Sequence, residues 1–175
     1  MLIGFIRMTL SVFIPKKVVD EVRKLGVNVE SYIVDLINSI SLDPKTDVEV
    51  RLELAVKYLE EGKELIDKDA IQASEKLYKA AEECVKVLAR YFNLEDILRR
   101  VKEGGKWTVS ELDDAVRLIA SKLGKWFLDS WDHAWTLHVW GFHEGKLSVG
   151  AIRDRLPDIE RIVLETKKIV EAGKS

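Results

Sequence analysis

The chain has 175 residues, 47% hydrophobic and 33% charged, enough for one domain with a sizeable core, which excludes a disordered or low-complexity protein. A net charge of −2 and a pI near 6.0 give no basis for tight sequence-independent binding to nucleic acid. The single cysteine, Cys84, excludes an intramolecular disulfide and reads as a buried, inert thiol in the middle of a helix. The opening MLIGFIRM is too short for a signal peptide, and no run approaches the ~20 apolar residues that span a bilayer. The expected location is therefore the cytoplasm, with no membrane partner. One glutamine and three asparagines against abundant Lys and Glu match a thermophile's usage.

Thr9 to Pro15 alternates as a short strand, with Leu10, Val12 and Ile14 on one side and Thr9, Ser11 and Phe13 on the other. Pro15 stops it. Lys16 to Leu25 reads as a short helix with Val18, Val19, Val22 and Leu25 inward, closed by Gly26. Asn28 caps a second helix whose apolar stripe is Tyr32, Ile33, Leu36, Ile37 and Ile40. This strand-helix-helix unit, residues 1–42, resembles the ribbon-helix-helix of small repressors. Its strand lacks their polar outward face, so an appendage for packing or dimerisation is expected ahead of a DNA-binding regulator acting through Thr9 to Ile40.

Asp43-Pro44 is a cap followed by a proline in the first helical turn. Val48, Leu52, Ala55, Leu59, Gly62 and Ile66 then recur at steps of four and three, and Asp69 with Gln72 opens the next helix. Its inward residues are Ser74, Tyr78, Ala81, Val85, Leu88 and Phe92. Arg99 to Lys106 reads as a charged Gly-Gly loop. Thr108 and Glu111 form a capping box before Leu112, Val116, Ile119, Leu123 and Trp126, with an interruption at Gly124. The last helix follows Ser148 and carries Ile152, Leu156, Ile159, Val163, Thr166 and Val170, with Pro157 demanding a kink or a late start. The fold class is all-α: an up-down bundle of about five helices over residues 43–175, with the appendage before it.

Chemistry concentrates in Trp126 to Glu144, WFLDSWDHAWTLHVWGFHE, which holds every histidine and four of the five tryptophans. At 100° per residue, Trp126, Ser130, His133, Leu137 and Trp140 share one face of a helix. Trp131, Trp135, His138 and Phe142 share a second, read as a ligand or interface face through which the chain forms a homodimer. Gly141 is expected to end the helix, leaving His138, His143 and Glu144 as the candidate reactive residues at a turn. The histidines stand five apart, a rotation of 140°, so no two form the usual i, i+4 metal pair, and neither metal nor cofactor is expected. Asp129 and His133 do have that spacing and are read as a structural pair. Tryptophans that stack bases are interleaved with Lys and Arg, which this stretch lacks between Phe127 and Glu144, so packing is the favoured reading. No P-loop, dinucleotide fingerprint, nucleophile elbow or zinc motif occurs.

VRLELAVKYLEEGKELIDKDAIQASEKLYKAAEECVKVLARYF, residues 50 to 92, resembles the first two helices of the HEPN superfamily of small helical bundles. Together with AWTLHVWGFHE, Ala134 to Glu144, it is similar to the archaeal PaREP family placed in that group. The likeness covers roughly Asp43 to Val170, and ASEKLYKAAEE and LHVWGFHE are its most specific blocks. The resemblance implies one of two things. Some superfamily members are metal-independent ribonucleases, several of them toxins of toxin-antitoxin pairs. In these an Arg and a His four to six residues later meet in a dimer cleft, the His working on a ribose 2′-OH and the Arg on phosphate charge. Others lack that motif and bind nucleotides or partner proteins, commonly a nucleotidyltransferase.

The Arg–His pair is absent here. Four to seven residues before His143 stand Val139, His138, Leu137 and Thr136; before His138 stand Ala134, His133, Asp132 and Trp131; before His133 stand Asp129, Leu128, Phe127 and Trp126. His138 occupies a place from which an arginine could have served, but histidine is the weaker phosphate clamp. A non-catalytic nucleotide-binding or protein-interaction module is therefore the expected function. The alternative is a divergent ribonuclease or toxin using His138 and His143 on RNA.

Overall fold

The computed structural model describes residues 12, 14–26, 28–40 and 43–173, without the side chains of residues 38–40. Among them are eight α-helices, one π-helical segment and no strand. They are α1 (Lys16–Lys24), α2 (Val29–Ile40), α3 (Pro44–Leu65), α4 (Ala70–Tyr91), α5 (Glu95–Gly104), α6 (Val109–Leu123), α7 (Lys125–Thr136) and α8 (Val149–Ala172), with the π segment Leu137–His143 continuing α7. No helix among the described residues is long and apolar enough to cross a membrane. The strand expected over Thr9 to Pro15 lies largely outside the described residues, which omit Thr9, Leu10, Ser11 and Phe13. Val12, Ile14 and Pro15 are in irregular backbone.

The long helices form where the spacing places them. Asp43 accepts from the amides of Lys45 and Thr46 at the start of α3, Asp69 from Gln72 at α4, and Ser148 from Ala151 at α8. The Thr108–Glu111 capping box opens α6. These carboxylates and hydroxyls satisfy amides that have no partner within the first turn. Gly124, with φ of +105°, both ends α6 and begins α7, so the chain turns there without a loop. α8 begins at Val149 and runs through Pro157, so the late start is not used.

α4 is the axis of the bundle. Ala80 through Ala89 are all buried, and α3, α6, α7, α8 and the π segment pack around this helix. The core joins Tyr58, Leu77, Leu88, Ile119, Phe127, Leu137, Ile152 and Ile162. Fully burying side chains of this size stabilises the fold by about 1.5–3 kcal/mol each before entropic costs.

Three sequence expectations are corrected. Arg99–Lys106 is not a loop for most of its length. It is the second half of α5, whose Ile97 is buried and whose Leu98 and Val101 pack on the core, while Arg99, Lys102 and Glu103 face solvent. Helix α1 buries no residue fully: Val19 and Val22 are half-buried, but Val18 and Leu25 are exposed. α2 turns most of its described apolar stripe outward. Tyr32, Leu36 and Ile37 are exposed and Ile33 is half-buried, whereas Ser31 is buried and Asp35 half-buried.

The inversion of α2 has an electrostatic cause. Arg51 of α3 is buried and reaches Asp47 at 2.7 Å, Glu83 at 2.9 Å and Asp35 of α2 at 2.7 Å. Lys86, also buried, pairs with Glu82 and Glu83. Lys79 pairs with Glu82 and Arg90 with Asp47, which closes a network of four cations and four carboxylates. A buried charge without a partner costs several kcal/mol, so Asp35 is drawn inward at the expense of its apolar neighbours. The Tyr58 hydroxyl, donating to Asn28 at 2.9 Å and lying 3.3 Å from Ser31, and the Lys57–Glu30 pair add further polar ties.

Candidate functional site

The site is built by the change of helix type after Thr136. Residues 137–143 form an i→i+5 ladder, and the Glu144 amide donates to the Val139 carbonyl at 2.9 Å in the same pattern. Such segments are rare and often mark functional sites. The wider turn cancels the 140° separation expected of residues five apart in an α-helix. His138 and His143 consequently face each other, Nε2 to Nε2, at 3.1 Å.

The segment can lie where it does because residue 141 has no side chain. A Cβ on Gly141 would stand 2.3 Å from Ser74 Oγ and 2.6 Å from Ser74 Cβ, so backbone lies directly on α4. Gly141 is buried inside the segment and does not terminate the helix, contrary to its reading as a stop. The close approach brings His138 onto two residues of α4. Its Nδ1 lies 3.0 Å from Glu75 Oε2, and its ring stacks on Tyr78 at 4.1 Å with 25° between planes. Trp131 and Trp135 surround the same tyrosine at 5.8 and 6.1 Å, and Phe142 lies 6.2 Å from His138. The face expected to meet a second copy is thus directed onto α4 of its own chain, with Trp131 buried and Trp135, His138 and Phe142 half-buried.

A cleft of about 450 Å³ opens beside these residues. Tyr78, Lys79 and Glu82 of α4 form its floor; Ser31, Tyr32 and Asp35 of α2 one wall; Lys106, Trp107 and Val109 another; His138, Phe142 and His143 the rim. Burial, with the nearby Glu82 and Glu75, pushes the Tyr78 phenol well above its usual range, so it stays neutral. Burial would raise the Glu82 carboxyl, but Lys86 and Lys79 outweigh it and hold that group far below its ordinary value. Lys86 is raised in turn: burial works to lower it, and Glu82, Glu83 and Asp35 prevail. Lys79 and Lys86 are therefore neutralised within the wall. Lys106 has no ion-pair partner among the described residues and is exposed at the cleft edge.

The other expected residues lie elsewhere. Glu144 pairs with Lys146 at 3.1 Å and takes no part in the histidine contact. Asp129 and His133 do not pair: Asp129 meets Lys125, and His133 Nδ1 meets Asp158 of α8 at 2.6 Å. Glu75, Lys106 and Trp107 are not singled out by the sequence pattern, and Tyr78 is read there only as an inward residue. Glu75, Tyr78 and Glu82 do recur at helical spacing within ASEKLYKAAEE, and that stripe was the available signal.

These features define an all-helical bundle carrying a histidine pair and a cleft against its central helix. The family profile of the archaeal PaREP1/PaREP8 proteins matches residues 50–163, and the chain belongs to that family. The match includes Glu75, Tyr78, His138 and His143, whereas α2, which supplies one cleft wall, precedes it. A crystal structure of a Sulfolobus solfataricus protein is similar at 38% identity, over 66% of this chain and 94% of that one, with a TM-score of 0.61. A solution structure of the Orf c02003 protein is similar at 37% identity, over 67% of this chain and 92% of that one, also at 0.61. No curated protein matches the chain.

Proposed function

We propose that this chain is a HEPN-type, non-catalytic module whose cleft binds a nucleotide and presents it to a partner protein, such as a nucleotidyltransferase or a second copy. The observation that carries the reading is the cleft itself. Its volume falls within the 300–1,000 Å³ range of small-molecule sites. Trp107 and Phe142 offer aromatic surface to a base, while Lys106 offers a cation to phosphate. The test is thermal unfolding and tryptophan fluorescence with AMP, ADP, ATP and GTP. A ligand present at 100 times its Kd stabilises the folded state by about 2.7 kcal/mol. Lys106→Ala and Phe142→Ala should each weaken binding about tenfold, the loss of ~1.4 kcal/mol. No stabilisation by any of the four at millimolar concentration refutes nucleotide binding and leaves a protein partner.

One observation favours a second reading, a divergent ribonuclease. Glu75, His138 and His143 form a continuous relay, carboxylate to Nδ1 and Nε2 to Nε2, that can hold and move a proton. Total RNA incubated with the protein in EDTA tests it. Cleavage lost in both His138→Ala and His143→Ala supports a nuclease; cleavage indifferent to both, or none, refutes it.

A further inference from the structure

We infer that His138 and His143 form a two-histidine site for a late first-row divalent metal ion, of which Zn²⁺, Ni²⁺ and Cu²⁺ are the fitting class, with Glu75 orienting His138 from behind. The inference does not depend on what the cleft binds.

The first support is distance. The Nε2 atoms of the two histidines are in contact, 3.1 Å apart. With metal–nitrogen bonds of about 2.0–2.1 Å, that separation corresponds to a ligand–metal–ligand angle of roughly 100°, between square and tetrahedral values. The His143 side chain lies at the exposed rim, so transfer of its proton to Nδ1 and a small rotation of its ring aim both Nε2 lone pairs at one ion.

The second support is the tautomer. Glu75 Oε2 lies 3.0 Å from His138 Nδ1, and a carboxylate can only accept there. His138 therefore carries its proton on Nδ1 and keeps the Nε2 lone pair for the contact with His143. A carboxylate behind the distal nitrogen of a ligating histidine is the arrangement that fixes ring orientation and raises ligand basicity. Tyr78, stacked at 4.1 Å, holds the ring plane. His138 is thus locked on two sides before any ion arrives.

The third support is the π segment. In an α-helix these residues would diverge by 140°, and only the i→i+5 ladder brings them together. Gly141, pressed onto Ser74, holds that ladder against α4. Among the described residues no group of three or more His, Cys, Asp or Glu is assembled around a point. The protein thus contributes two nitrogens, and water fills the remaining positions. Two imidazoles without an oxygen cage select imidazole-preferring ions over Mg²⁺ and Ca²⁺.

The experiment uses the full chain, stripped with EDTA and desalted, with no nucleotide present. Zn²⁺ is titrated in competition with a chromophoric chelator, and Cu²⁺ binding is followed by electron paramagnetic resonance. The expected result is one ion per chain, with a two-nitrogen signature in the Cu²⁺ spectrum. His143→Ala and His138→Ala should each weaken Zn²⁺ binding at least tenfold, and Glu75→Gln by about 10–100-fold. His133→Ala, whose ring pairs with Asp158, should leave it unchanged. His143 is exposed, so its variant keeps the fold, and matched unfolding midpoints would verify that. Binding equal in wild type and His143→Ala, or no binding by the wild type, overturns the site.

Discussion

Replacing Gly141 with alanine tests the contact on which the site's register depends. The added methyl would stand 2.3 Å from Ser74 Oγ and 2.6 Å from Ser74 Cβ. The hydroxyl can rotate away; the Cβ is fixed to the α4 backbone and cannot. Relief requires the π segment to retreat by roughly 1 Å, and overpacking of this kind costs about 1–3 kcal/mol. Alanine recovers about 0.5–1 kcal/mol of helix preference, leaving a net loss of about 1 kcal/mol at the middle of both ranges. For a chain of this length that lowers the unfolding midpoint by roughly 2–4 °C in differential scanning calorimetry. Ser74→Ala should not rescue it, because the Cβ remains. Ser74→Gly removes both colliding atoms, and the double variant should be at least ~1 kcal/mol more stable than the two single losses added together. A Gly141→Ala midpoint at or above wild type, or strict additivity with Ser74→Gly, would refute the close approach.

Three further outcomes follow from the charged and apolar core. Lys86→Met should cost about 3–5 kcal/mol in urea unfolding, because Glu82 and Glu83 stay buried with a cation removed. Stability should depend on pH with a definite sign. Glu82 is depressed on folding, so its contribution is present above the ordinary value of 4.5 and is lost as pH falls through the folded value. Lys86 is raised, so its contribution is present below 10.5 and is lost as pH rises through its folded value. Acid titration of Glu82→Gln beside wild type should show a gap that narrows below pH 4.5; a gap that widens there contradicts the assignment. Burial pushes the Cys84 thiol up to about 12, so maleimide should modify the native chain only at the rate of opening, and fully in denaturant.

The registers of α3, α6 and α8 are legible because each buries one stripe of apolar residues at steps of four and three. That of α4 is only partly so, because its second half is buried on every side. The caps are legible because Asp43, Asp69, Thr108 and Ser148 act on neighbours within three residues. What lies beyond local pattern is not. α5 is short, and its charged outer face obscures the stripe of Ile97, Leu98 and Val101. The burial of Asn28, Ser31 and Asp35 is set by Arg51 and Tyr58 on another helix, so α2's own stripe pointed the wrong way. His138 and His143 stand out in the sequence as candidates, but a constant 100° step sets them apart, and nothing local to the stretch announces the π ladder that brings them into contact. His138's carboxylate lies 63 positions away, and His133's lies 25 positions away at Asp158.

The sheathing of α4 bears on which substitutions descendants of this chain can accept. A helix on the outside of a bundle tolerates change on two positions of every three or four, and a saturation-mutagenesis profile along α3 or α8 should rise and fall with each turn. From Ala80 to Ala89 that rhythm has nothing to generate it, since every position is enclosed. The profile there should be flat and low, with the small residues Ala80, Ala81 and Ala89 as intolerant of enlargement as Glu82, Glu83 and Lys86 are of neutralisation. Substitutions are thereby expected to accumulate on the outer helices and on the α1–α2 arm rather than in this half of α4.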